Sequence, residues 1–362
     1  MQIRHVLFLL PSLLGRTSSA SIPPPSPTES YDWTPAGAPV QSSTRNPVLV
    51  PTDFAEWILG DPSLLDLPNG DRYVFANEIF HSIIWYKASP TGGSEFSYVR
   101  QPGSVVAAPG AVRPFARYDP ETEKVHLFYE QYQITSLYKK SAIWMKTGDV
   151  TFTDGGSSIE WRRGDVKILT PTLDWEKIGT QRVGNPFVYY NPAQKSYVLY
   201  YSASSIHLPD SGVDEPIYLG MATAPSISGP YTRASDQPLV VAGIDGTSVG
   251  LGSLKFVKGV EQDYGRPVAI INRITEKGGV TGSTISLVSS QDGGLTFGFV
   301  RDLIEPTLVE GDWNEAYCYG FDTGVDAEDG DYILVLYNGR DGWKHATETV
   351  GASRVKREVF VV

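Results

Sequence analysis

From Trp57 onward the chain alternates short apolar runs with clusters of Gly, Pro, Asn and Asp, and no long stretch carries helical periodicity. One set of runs reads "DRYVFAN" (from Asp71), "EKVHLFYEQY" (Glu123), "KSYVLYYSAS" (Lys195), "RPVAIINR" (Arg266) and "GDYILVLYNGR" (Gly330). Each is preceded by an opening strand: "DPSLLDL" (Asp61), "RPFARYD" (Arg113), "NPFVYYN" (Asn185), "GSLKFVK" (Gly252) and "GFDTGVD" (Gly320). Each is followed by a third, among them "SIIWYKASP" (Ser82) and "SAIWMKTGD" (Ser141), which share Ile-Trp-x-Lys. Most units add a fourth run after a turn, such as "GSEFSYV" or "GLTFGFV". Five units at a period of about 67 residues predict an all-β fold, a five-bladed β-propeller with four-stranded antiparallel blades. A large β-sandwich or jelly roll is the alternative.

The turn "SQDGGLTF", Ser290 to Phe297, has the Ser-x-Asp-x-Gly-x-Thr-aromatic spacing of a hairpin tied by its own side chains. It falls where the third and fourth strands of a blade meet. In a propeller the innermost strands run beside one axis, so their first residues converge on a single funnel although they lie far apart in sequence. That places Asp61, Arg113, Asn185, Gly252 and Gly320 together.

"GDPSLLDLPNGDRYVFAN", "GNPFVYYNPAQKSYVLYYSAS" and "APSISGPYTRA" together resemble the five-bladed propellers of the arabinanase/levansucrase/invertase superfamily, and in particular family 43-type glycoside hydrolases. The resemblance covers most of the chain from Trp57 to the C-terminus. It implies a glycosidase with Asp61 as general base. The family's second Asp corresponds to Asn185, and its general acid Glu to Leu251 in "VGLGSLKF", which cannot donate a proton. The catalytic set is therefore diverged. Hydrolysis needs one carboxylate to activate water and one protonated carboxyl to assist the leaving oxygen. "GDWNEAYCYGFDTG" supplies Glu315 as first choice for a replacement acid and Asp322 as second, with Trp313 and Tyr317 as sugar platforms. The plainer reading makes Glu315 a solvated loop carboxylate and Asp322 a turn former. Arg113 and Arg182 are candidates to hold a carboxylate or a diol, and Arg113 could instead pair with Asp61. Asn185 can donate to and accept from sugar hydroxyls.

Composition narrows this picture. Aromatic residues make up 12 % of the chain, with 20 Tyr and 8 Trp, which suits strands and sugar-stacking surfaces. The net charge of −11 disfavours nucleic acid as a partner. Residues 1–20, with Arg4 and His5 before the apolar Val6–Leu14 and small residues at Ser18–Ala20, read as a secretory signal peptide. Residues 21–45, rich in Pro and Ser, read as an extended spacer without packed structure, and residues 46–362 as the propeller. No stretch is long enough to span a bilayer. Cys318 is alone, so no intrachain disulfide forms. The five histidines show no metal-ligand spacing, and no phosphate loop is present; neither a metal nor a cofactor is expected.

These features point to a secreted carbohydrate-active enzyme, a monomer, acting on furanosyl or plant-type oligosaccharide linkages. Two alternatives stay open: a lyase or tailoring enzyme acting on a small metabolite, and a non-catalytic sugar-binding propeller.

Overall fold

The computed structural model describes residues 33–51, 58–78, 82–91, 95–106, 108–136, 139–260, 263–342 and 347–362. The expected signal peptide, His81 and His345 lie outside them.

The chain folds into successive antiparallel sheets that match the five repeats. Blade 1 consists of Leu59–Asp66, Arg72–Glu78, Ser82–Thr91 and Glu95–Arg100. Blade 2 runs through Ala111–Asp119, Lys124–Tyr132, Ser141–Thr153 and Gly156–Trp161. Blade 3 comprises Val183–Asn191, Ser196–Ala203, Tyr218–Ala224 and the short Thr232–Arg233. Ser248–Phe256, Val268–Lys277, Val280–Ser289 and Thr296–Ile304 form blade 4. Blade 5 contributes Tyr317–Val325, Tyr332–Arg340 and Glu348–Lys356. The first strand of each blade touches that of the next, and the fifth touches the first, so the ring is closed.

The fourth strand of blade 5 comes from the other end of the chain. Val40–Ser43 pairs antiparallel with Glu348–Lys356, Gln41 opposite Arg354. Gln41 and Ser43 are buried, the Gln41 side chain accepts from Arg354 Nε at 2.7 Å, and Asn46 brackets the backbone of Ala352. This corrects the expectation of an unpacked spacer for residues 40–45. Its Pro and Ser content suggested no structure, but the edge of blade 5 offers a ready template for one more strand.

Hydrophobic layers lie between blades, which explains why the second strands read as continuous apolar runs: both faces are covered. Phe115 meets Phe187 across blades 2 and 3 with ring centroids 5.0 Å apart, and Tyr189 meets Phe256 across blades 3 and 4 at 4.5 Å. Leu334, Leu336 and Val350 of blade 5 close the circle on Leu59, Leu64 and Val74 of blade 1. The Ser290–Phe297 turn is tied as its spacing predicts, with Asp292 accepting from Ser290 Oγ, Leu295 N, Thr296 N and Thr296 Oγ1.

Each first strand breaks register with its partner at the same place, and Ser248–Phe256 carries a second break between Ser248 and Gly250. The shared breaks skip Asp61 and Pro62, Arg113 and Pro114, Asn185 and Pro186, Gly252 and Ser253, and Gly320. Asp61, Arg113, Asn185 and Gly320 have φ of 50°, 54°, 47° and 41°. At these four breaks a left-handed residue makes a bulge that turns the side chain out of the sheet and toward the axis. The equivalence drawn from sequence is thus a backbone fact. Three of these residues pay a strain cost that glycine would avoid, which is a mark of a site.

Candidate active site

The bulges form the floor of the funnel, where Asp61, Arg113, Asn185, Lys255 and Gly320 meet. Gly320 permits this crowding, because a Cβ there would lie 2.5 Å from Asp61 Oδ1. Above the floor opens a cavity of about 520 Å³. Asp61, Glu78, Asp214, Glu215 and Glu348, with Arg113, Arg182 and Arg340, supply its charged lining.

Asp61 is half-buried, and its backbone N–H donates to Asn338 Oδ1 at 2.6 Å. Its carboxyl group has no hydrogen bond or ion pair among the described residues. The pairing of Asp61 with Arg113 considered from sequence does not form. Arg113 Nη1 instead donates to Glu130 Oε2 at 3.0 Å and to Tyr132 Oη at 2.9 Å. Arg182, almost fully buried, reaches the same Glu130 oxygen at 3.2 Å. Burial pushes Glu130 up, but Arg182 and Arg113 outweigh it and hold the carboxyl below its ordinary range. One permanent anion thus occupies two arginines.

The remaining carboxyls shift the other way. Burial raises Asp61, opposed by the charges of Arg113 and Lys255. Burial also raises Glu215, against Arg113 and Arg182, and the charge of Asp61 raises it further. Glu348 is raised by burial too; a hydrogen bond from Tyr319 and the charge of Arg340 oppose this, while Asp61 and Glu215 add to it. All three carboxyls are thus raised, and the charge of Asp61 adds to the rise of both Glu215 and Glu348.

Glu215 and Glu348 were missed in the sequence because neither opens a blade. Glu215 ends a small hairpin, Ile206–Leu208 with Val213–Glu215, inserted between the second and third strands of blade 3. Glu348 begins the third strand of blade 5, opposite Arg340. The available signal was the Asp214-Glu215-Pro216 step, an acidic pair in a stretch too polar for a blade strand.

Of the residues expected at the site, Asp61, Arg113 and Arg182 line the cavity and Asn185 lies in its floor, its Nδ2 donating to Ser202 Oγ at 2.8 Å. The other four do not line it. Glu315 accepts from the N–H of Gly311 within its own turn, as a solvated loop carboxylate does. Asp322 is fully buried and accepts from Ser63 Oγ, Leu64 N and Lys258 Nζ, the last at 2.7 Å. It clamps blade 5 to blade 1. Trp313 packs against Tyr337 and over Gly339 and Gly351, where any Cβ would collide with the indole. Tyr317 is buried, its hydroxyl 2.7 Å from Thr281 Oγ1. Both aromatics pack in blade 5 and stand away from the cavity lining.

The geometry defines a class: a propeller whose bulged inner strands gather carboxyls and guanidinium groups at one mouth. Solved structures of that class match the chain. It superposes on an inulosucrase from Halalkalicoccus jeotgali bound to kestose with a TM-score of 0.55 at 15 % identity, covering 80 % of this chain and 78 % of that one. A B. megaterium levansucrase variant gives 0.58 at 12 % identity, with 82 % of each chain covered. An N-acetylgalactosamine deacetylase from F. plautii in complex with blood group B trisaccharide gives 0.57 at 12 % identity, covering 83 % and 91 %. No family model matches the sequence, and no curated protein matches it. At these identities the likeness establishes the fold, the propeller that the resemblance to the arabinanase/levansucrase/invertase superfamily implied.

Proposed function

We propose that the protein is a glycoside hydrolase in which Asp61 is the general base and Glu215 the general acid. The observation that carries this reading is an Asp61 carboxyl without a partner among the described residues, at the floor of a cavity that also holds Glu215, a carboxyl raised by burial, to which the charge of Asp61 adds. Water loses a proton to the Asp61 carboxylate as its oxygen attacks the anomeric carbon. The bond to the leaving oxygen breaks, and that oxygen takes the proton of Glu215. Burial raises Asp61, and the charges of Arg113 and Lys255 oppose that rise.

Carbohydrate as substrate is supported by neighbours of this fold whose named ligands are kestose and a blood group trisaccharide. Furanosyl or plant-type oligosaccharide linkages remain our preferred substrates, and export directed by residues 1–20 with maturation near Ser21 our preferred route. A panel of aryl furanosides and pyranosides tests the activity. Turnover of at least one is expected, with Asp61→Asn lowering kcat/KM by about two to four orders of magnitude while the protein stays folded. A folded Asp61→Asn protein with full turnover removes Asp61 from the chemistry.

A further inference from the structure

Arg340 is the one arginine of the cavity lining that has no anion assigned to it. It is about nine-tenths buried, and its Nε is shielded from solvent without a hydrogen-bond partner. No hydrogen bond or ion pair involves its guanidinium among the described residues. Its contact is a stack over the Tyr317 ring, 5.4 Å from the centroid. By contrast, Arg113 and Arg182 share Glu130, and Arg100 pairs with the lining residue Glu78 at 2.8 Å.

A buried guanidinium that keeps its charge costs folding free energy unless an anion or strong acceptors meet it. Among the described residues little answers it. Glu348 faces Arg340 across the strand pair, but it makes no ion pair with it and accepts from Tyr319. The cavity of about 520 Å³ has room for a sugar ring bearing a substituent. We propose that Arg340 binds a carboxylate carried by the substrate, so that the sugar held in this cavity is acidic, of the uronic-acid type. The planar fork of arginine matches the two oxygens of a carboxylate, and a neutral hydroxymethyl group in the same place would leave the buried charge unanswered. The stack on Tyr317 fixes the plane of the fork in advance and limits the entropy lost on binding. This inference rests on the proposed site, but it needs binding only and not hydrolysis.

Calorimetric titration of the full chain with galacturonate and glucuronate, against galactose and glucose, tests it. The acidic sugars are expected to bind at least about 10-fold more tightly, the worth of a charge-assisted hydrogen bond. Arg340→Met should abolish that preference while its Tm stays level or rises, because the variant buries no unanswered charge. Arg340→Lys should keep part of the preference, as a point charge without the fork. Equal affinity for acidic and neutral sugars, or a preference that survives Arg340→Met, overturns the inference. So does a fall in Tm of Arg340→Met with ligand preference intact, which would mark a structural arginine. If Arg340→Met does not fold, an undiminished preference in Arg340→Lys together with equal binding of a neutral amide analogue overturns it. Acidic sugars that bind but are never hydrolysed would refute the glycosidase reading and leave this one standing. Hydrolysis of neutral glycosides alone would do the reverse.

Discussion

At the scale of single residues, position carried more information than residue type. Asp61 was legible because Asp-Pro opens a blade, and the opening of every blade reaches the axis. Glu315 and Asp322 were chosen for being acidic near a strand start, and both are spoken for by local donors. Glu215 was illegible for the opposite reason: an inserted hairpin carries it in, and nothing in a periodic reading says where an insertion folds. Its environment makes a testable claim. The carboxyl is raised by burial, so the folded state holds its proton more tightly than the unfolded chain does. That stability is fully present below the ordinary glutamate value of 4.5 and is lost as pH rises through the raised folded value. Glu215→Gln never ionises. It should therefore have a higher Tm than the wild type at pH 7, and the difference should shrink toward nothing near pH 4, as thermal melts across that range would show. A Glu215→Gln protein that is less stable at pH 7 would mean that the ionised carboxyl is held by a favourable contact.

At the scale of elements, the repeat was legible because a four-stranded blade needs the same short apolar runs each time, and turn residues punctuate them. The bulges were legible only as a shared register. What periodicity could not show was the partner of the last blade, since Val40–Ser43 lies some 300 residues from the strand it completes. A four-residue run in a Pro- and Ser-rich segment has too little pattern to be read as a strand by itself. Tertiary context decides it. The strand closes the ring, with Gln41 bonded to both Arg354 and Tyr332 and Asn46 to Ala352. Deleting residues 33–45 removes the Gln41 bonds and the strand ladder and bares the edge of Glu348–Lys356. With several hydrogen bonds at roughly 1 kcal/mol each, the loss should be about 3 kcal/mol or more, a fall of roughly 5–10 °C in Tm. Aggregation through the exposed edge should accompany it. A deletion variant that melts with the full chain would show that the ring closes without this strand.

At the scale of the whole molecule, the closed ring explains how so diverged a sequence can keep a site. Blades pack on neighbours through broad apolar layers, and buried clamps such as Asp322 tie the last blade to the first. Such a frame holds the bulges in place whatever stands on them. On the proposed reading, Leu251 stands where the family's acid would be and Glu215 supplies that role from an inserted hairpin. The central claim is that Asp61 and Glu215 divide the work as base and acid. It is tested most directly by measuring kcat/KM for wild type, Asp61→Asn and Glu215→Gln on aryl glycosides that differ only in the pKa of the departing phenol. Loss of a general acid hurts poor leaving groups most, since good ones depart without a proton, whereas loss of the base slows all of them. The account predicts a Glu215→Gln defect that grows steeply as the phenol becomes less acidic, beside an Asp61→Asn defect of about 10²–10⁴ that stays nearly constant across the series. Defects of equal size and slope in both variants, or a Glu215→Gln protein that matches the wild type on the poorest leaving group, would contradict it.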